Sequence, residues 1–338
     1  MNRAPTFGLL LPASAIMGLT IVALGLVACN GSAALSPAGT LPATARSGIT
    51  PATKPSPTPY TFDFATLNDP AGTFNSVMGV NDLGHAVGYY GSGGQGDPSH
   101  GFNSTLPYEK FQSMNYPNAV STVGTSLSSI NEIFAGYFVD NSSGHHTWGF
   151  IRNRGIWSQY KNFKTPKGPY SVNELLGVSD ANIAVGFYTD SYGHDMPYEL
   201  AAGHYHALAP PGAVSAMATG INKIGDITGA ETLASGVTEG WILSNGIYSQ
   251  FLYPGSSSTQ AFAVNYEEQV VGSYVDSKGT HGFILDRPAS PNQMYWQSID
   301  EPNAAGTTVL TSINSHHTIS GWYVDASGNT DGFAANVK

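Results

Sequence analysis

The chain holds a single cysteine, Cys29, among its 338 residues. No intrachain disulfide can form, so the fold must be held by packing. Charge is scarce as well. Charged residues make up 11%, the formal net charge is -10, and no basic run occurs. A nucleic-acid partner is not expected from such a surface, because phosphate recognition needs clustered cations. The same balance argues against the folded part binding acidic membranes directly. No long 3.6-residue apolar period is present beyond the first thirty residues, so amphipathic helices are not expected. Plentiful instead are glycine, with 40 residues, and aromatics, at 11%. That balance suits a β-rich, turn-rich exported protein better than a helical cytosolic one. The length accommodates one large domain or two ordinary ones.

The first residues have their own character. One basic residue, Arg3, precedes an apolar run from about Phe7 to Val27, which ends in Leu26-Val27-Ala28-Cys29. A small residue directly before a cysteine resembles the lipobox of bacterial lipoprotein signals. The resemblance implies a leader over residues 1–28, cleavage before Cys29, and acylation of Cys29 as the mature N-terminus. Several acyl chains on one residue would hold the protein at a membrane, at ~0.8 kcal/mol per buried CH₂. The absence of Asp after Cys29 points to outer-membrane sorting in a Gram-negative cell. The alternative is a plain anchor or signal peptide with a chance cysteine. From Cys29 to Pro59 the chain has no aromatic residue, and prolines stand at 37, 42, 51, 55, 57 and 59. No core can form there. Residues 29–59 read as a tether with a root-mean-square span of roughly 30 Å.

From residue 60 onward the chain is periodic. A small residue, an aliphatic and usually Asn recur as Gly79-Val80-Asn81, Ser129-Ile130-Asn131, Gly177-Val178-Ser179, Gly220-Ile221-Asn222, Ala263-Val264-Asn265 and Ser312-Ile313-Asn314. A glycine follows, then an aromatic and often Asp, as in "GYFVD", "GSYVD" and "GWYVD". Next come Gly-aromatic pairs at Phe102, Phe150, Trp241, Phe283 and Phe333, with Pro197-Tyr198 in the third copy. An aromatic-led stretch ending in Pro closes each copy but the last, as in "FQSMNYP", "YKNFKTP" and "YSQFLYP". Each copy therefore reads as four short strands punctuated by Gly, Asn, Asp and Pro. The small residue before the Asn suits an innermost strand, where copies converge and large side chains would clash.

Six such units match the blades of an all-β, six-bladed β-propeller spanning residues 60–338. The sixth unit stops one strand short, at "GFAANVK". The missing strand has a match before the first unit, in "YTFDFATLNDP" at 60–70. The N-terminal strand is thus expected to complete the last blade, leaving no free edge. The repeat resembles the bacterial extracellular HAF type, on a core matched fully by His100-Gly101-Phe102 and His281-Gly282-Phe283 and partly elsewhere. Trp148, Met196, Glu239 and Asp331 stand where that family has His. The resemblance implies a propeller-like, secreted or cell-surface protein and no particular activity.

Chemistry-bearing residues each have a structural reading beside the functional one. His100 and His281 fit structural contacts to a neighbouring turn, since the equivalent positions carry Trp, Met, Glu and Asp. Asp140, Asp190, Asp276 and Asp325 fit turns better than calcium loops, because each loop offers one Asp with serines. His145-His146, His316-His317 and His204 with His206 lack a third ligand, so no metal is expected. "YGSGGQGDPSH" at 90–100 lacks the Lys-Ser/Thr of a phosphate loop and reads as a long hairpin. Carboxylates off the repeat pattern are Glu174, Asp195, Glu199, Glu231, Glu239 and Glu301, yet nothing in the sequence pairs them for hydrolysis. No nucleophile elbow is present. Catalytic and metal residues are therefore not assigned, and no cofactor is expected. Abundant tyrosine and low charge suit a binding module for a glycan or protein ligand. A polysaccharide hydrolase and a structural envelope protein are the alternatives. The expected setting is the bacterial envelope, with the membrane contacted through the lipid on Cys29 and the propeller monomeric.

Overall fold

Every described segment of regular structure is a β-strand. The computed structural model describes residues 58–94, 96–161, 172–286 and 294–338. The leader 1–28, Cys29, the tether up to residue 57 and most of "YKNFKTP" lie outside the described residues. Pro59–Lys338 forms one compact unit.

The strands pair in groups of four antiparallel neighbours. Group one is β2 (Phe74–Val80), β3 (His85–Gly91), β4 (His100–Thr105) and β5 (Phe111–Ser113). Group two is β6 (Ser121–Leu127), β7 (Ile133–Val139), β8 (Thr147–Asn153) and β9 (Ile156–Tyr160). Group three is β10 (Asn173–Val178), β11 (Ala184–Thr189), β12 (Asp195–Ala201) and β13 (His204–Ala207). Group four is β14 (Ala213–Ile221), β15 (Ile227–Leu233), β16 (Thr238–Ser244) and β17 (Ile247–Phe251). Group five is β18 (Ser258–Val264), β19 (Gln269–Asp276), β20 (Gly279–Asp286) and β21 (Tyr295–Ile299). Group six joins β22 (Thr308–Ile313), β23 (Ile319–Val324) and β24 (Thr330–Val337) to β1 (Phe62–Thr66). Single parallel bridges, Phe74 to Thr330 and Thr238 to Ser258, link adjacent groups.

The pairing of β1 with β24 explains the short last repeat. Phe62 lies opposite Val337 and Thr66 opposite Phe333, and the Phe64 and Phe333 rings are 5.4 Å apart. The junction is tied by Asn68, whose Nδ2 donates to Asp331 Oδ1 at 2.6 Å and whose Oδ1 accepts the Gly332 N–H at 3.0 Å.

Turn chemistry follows the punctuation. Asn81 Oδ1 accepts the N–H groups of Leu83 and His85, and Asn222, Asn265 and Asn314 repeat this cap. In the second group the turn begins at Ser128, not at Asn131. Ser128 N–H bonds Ile133 C=O, so the equivalent triplet is Ser126-Leu127-Ser128. Ser129-Ile130-Asn131 is a local look-alike inside the turn, with Ile130 exposed and its N–H given to Asp180.

The repeat's Gly-aromatic pair forms the heart of the packing. Phe102, Phe150, Trp241, Phe283 and Phe333 are fully buried, as is Tyr198 in group three. Gly88 lies opposite Phe102. A Cβ there would fall 2.0 Å from the Ser76 carbonyl and 2.8 Å from the ring, which is why no side chain is tolerated.

Candidate functional site

The first strand of every group carries a β-bulge at the same place, and β14 has a second register shift at Ala213/Ser215. The register slips at Val77/Gly79, Gly124/Ser126, Leu175/Gly177, Ala218/Gly220, Ala261/Ala263 and Leu310/Ser312. The extra residues are Met78, Thr125, Leu176, Thr219, Phe262 and Thr311. A bulge re-aims the chain, and here it forms a floor. The three threonines donate Oγ1–H to the next first strand, at Leu175 O (2.8 Å), Ala261 O (2.9 Å) and Val77 O (2.7 Å). Met78, Leu176 and Phe262 fill the places between them.

Two residues before each bulge stands a second tier: Ser76, Val123, Glu174, Met217, Gln260 and Val309. Their partners on the second strands are Tyr89, Tyr137, Phe187, Ala230, Ser273 and Trp322. Side chains directly opposite one another share a face of the sheet. Residues of four groups meet there in one cluster, with Tyr89, Val123, Tyr137, Leu176 and Phe187 packed against Phe74, Met78, Val172 and Met217. Phe74, Val172, Met217, Gln260, Trp322, Thr189 and Asp195 remain half-buried and form the rim.

Glu174 is the charged member of this tier, with 6% of its surface exposed. Burial pushes its carboxyl well above the usual carboxylate range, and the nearby Asp195 pushes it further. No described residue donates a hydrogen bond to its carboxyl, whereas the fully buried carboxylate oxygen without a partner is Glu231 Oε2. Asp195 sits one row toward the rim, opposite Thr189. It is raised to about 6, first by burial, with the Thr189 hydroxyl opposing and Asp190 adding. Thr189 Oγ1 donates to Asp195 Oδ1 at 2.9 Å, and the Asp195 N–H reaches Ser215 Oγ at 3.0 Å. Tyr137 is pushed well above its ordinary value by burial, then by Glu174 and Tyr89. A ring-lined tier with one buried and one half-buried carboxyl group can bind a polar head, stabilise a cation or exchange a proton.

The remaining off-pattern carboxylates include one facing pair. Glu231 and Glu239 oppose each other on β15 and β16. Glu231 Oε1 accepts Gln250 Nε2 at 2.6 Å, and burial raises its carboxyl. Glu301 caps its own turn through Asn303, and Glu199 faces His206 across the outer strand pair. His281 lies between Asp300 (2.9 Å) and Asp276 (3.3 Å) and stacks on Tyr274. Trp148, at the equivalent position, gives its indole N–H to Asp140 at 2.8 Å. His100 packs on Tyr90 instead. The turn aspartates bond the amides of their own loops, as Asp325 does with Ser327 and Asn329. His204 and His206 are exposed on β13. Among the described residues no group of three or more His, Cys, Asp or Glu is placed to hold a metal.

Sequence reasoning singled out Glu174 and Asp195 separately but missed Tyr89, Tyr137, Phe187, Gln260 and Trp322. The signal was available in the residue after each repeat glycine, which is aromatic in four units and small in two.

The fold defines a class: an all-β repeat protein of four-stranded antiparallel groups. No protein-family model matches the chain, and no curated protein matches it. A protein of unknown function from Dyadobacter fermentans is similar in structure, with 9% identity, 81% of this chain and 98% of that chain covered, and a TM-score of 0.53. The Aleuria aurantia lectin, described as a six-bladed β-propeller with a novel fucose recognition mode, shares 9% identity over 78% of this chain and 93% of its own, at a TM-score of 0.47. TolB from Acinetobacter baumannii shares 11% identity and covers 76% of this chain at 0.46, and this chain spans 66% of that one. At such identities the likeness concerns the fold alone.

Proposed function

We propose that residues 60–338 form a closed six-bladed β-propeller serving as a binding module, with its ligand seat at the rim of Phe74, Asp195, Met217, Gln260 and Trp322. Closure is supported by contacts that run from group to group and return to the start. Asn81 Nδ2 donates to Ser128 O, Thr125 Oγ1 to Leu175 O, Asn222 Nδ2 to Asn265 O, Asn265 Nδ2 to Asn314 O, and Asn314 Nδ2 to Asn81 O. Between groups three and four, Gly177 lies against Gly220, where a Cβ would meet the Gly220 Cα at 3.0 Å.

The observation that carries the binding role is the set of half-buried aromatic and amide side chains, Phe74, Gln260 and Trp322, at the rim of a tier that holds the buried Glu174 carboxyl. Concave apolar surface with a few converging polar groups is what small-ligand seats share. A glycan or a protein loop is the ligand class. The module is exported and tethered to the bacterial envelope through acylated Cys29, as the leader's lipobox resemblance implies. A glycan array and a pulldown with the full chain test this reading, comparing the parent with Trp322→Ala on the rim and Tyr266→Ala on a distant turn. Loss of signal with the first and not the second is expected. Equal binding by all three would refute the seat. Cys29→Ser is expected to release the chain from membranes, and retention after leader removal would refute the anchor.

One observation favours a second reading. Glu174 and Asp195 are adjacent carboxyls raised by burial, as acid catalysis requires. Reducing-sugar release from polysaccharide that disappears in Asp195→Asn would establish a hydrolase.

A further inference from the structure

We infer that the recess takes an alkylammonium group, held by the rings of Tyr89, Tyr137, Phe187 and Phe74 around the Glu174 carboxyl. The inference rests on the binding role proposed above and names its ligand chemistry. Three observations converge. Four aromatic side chains from three groups share one packed cluster above the bulge floor, with Phe74 and Tyr89 ring centroids 5.8 Å apart. Aromatic faces carry negative potential and attract cations whose charge is spread over methyl or methylene groups. Glu174 is nine-tenths buried in the same tier and has no hydrogen-bond donor among the described residues. A buried carboxyl lacking donors is costly unless a cation completes it. Finally, no lysine or arginine forms an ion pair with Glu174 or Asp195 among the described residues, so the countercharge is left to a ligand. The floor residues Met78, Leu176 and Phe262 suit the methyl groups of an onium head.

Binding should couple to a proton. An ammonium group favours ionised Glu174, whereas the empty recess favours the protonated acid. Seating the cation therefore releases a proton, and affinity rises with pH.

The test is calorimetric titration of the full chain, in non-ionic detergent, with choline and its neutral isostere 3,3-dimethylbutan-1-ol. Nα-acetyl-lysine amide serves as the arm for a polypeptide source of the ammonium group. Choline should bind at least about tenfold more tightly than the isostere, and more tightly at about pH 8 than at about pH 5. Glu174→Gln should lose this preference and the pH dependence while melting no lower than the parent. Tighter binding of the lysine arm would assign the ammonium to a partner polypeptide and uphold the chemistry. Equal binding of choline and the isostere overturns the inference, as does a preference that survives Glu174→Gln. A neutral glycan bound at the Trp322 rim, with neither amine bound, overturns the inference and leaves the binding role standing. Failure of all ligands, with Trp322→Ala silent in pulldowns, removes both.

Discussion

Replacing Asp195 by Asn should stabilise the protein at neutral pH and leave it unchanged in mild acid. The carboxyl is held at about 6 against an ordinary 3.8, chiefly by burial. The folded chain therefore keeps this proton where the unfolded chain has lost it. Between about pH 4 and about pH 6 the folded state binds more protons, so stability falls as pH rises through that window and the loss is complete above it. A difference of about two pKa steps, at 1.36 kcal/mol each, corresponds to about 3 kcal/mol. Asparagine keeps the acceptor for Thr189 Oγ1 and the backbone N–H to Ser215 Oγ, fills nearly the same volume and carries no charge. Asp195→Asn should then exceed the parent by up to about 3 kcal/mol near neutrality and match it near pH 4.

The assay is urea unfolding at a series of pH values, with the slope on denaturant checked for constancy. Curves of stability against pH that run parallel for parent and variant would refute the reasoning, because they would place the proton uptake elsewhere. Glu174→Gln should act in the same direction. The double variant should gain less than the two singles together, since the Asp195 charge is part of what raises the Glu174 carboxyl.

Removing residues 60–70 should abolish cooperative unfolding, because it exposes the β24 edge and strips Phe64 from Phe333; an unchanged melting curve would contradict closure through β1. Gly220→Val should destabilise by at least about 3 kcal/mol, since its Cβ would meet the Phe262 carbonyl at 2.7 Å and the Ala263 Cα at 2.8 Å; thermal denaturation reads this directly. Asn314→Ala should cost about 1–3 kcal/mol in urea unfolding, because the His316 and Thr318 amides and the Asn81 carbonyl lose their partner together. Asp140 carries the opposite sign from the recess carboxyls. Burial opposes its ionisation, but bonds from Ser142, Trp148 and His146 hold it below its ordinary value, so its contribution is lost as pH falls. Asp140→Asn should lower the neutral-pH melting temperature and flatten the acid limb of the melting profile.

The architecture was legible because its determinants are local and recur. Gly-aromatic pairs, Asn-capped turns and the displaced strand at 60–70 each mark a strand end within a few residues. Where a turn imitates the marker, as Ser129-Ile130-Asn131 does, the period misplaces the boundary by three residues. The recess was hidden for two reasons. Its parts lie roughly 43 to 51 residues apart in the chain, and each group contributes only one or two side chains. The bulge also breaks the two-residue alternation that a strand reading depends on. Alternation counted from Asn81 or Ser179 assigns the residues beyond the bulge to the wrong face, so Glu174 looks like an isolated off-pattern acid. Its proximity to Asp195 follows only from the diagonal across β10, β11 and β12.

The bulge residues alternate around the six groups: methionine, leucine and phenylalanine in the odd ones, threonine in the even ones. Each threonine hands its hydroxyl to a successor whose own bulge is apolar. The architecture thus has parity, and its natural increment is a doublet. Gain or loss of a single copy would set two threonines or two apolar side chains side by side, whereas exchange of a doublet would keep every donor matched to its acceptor.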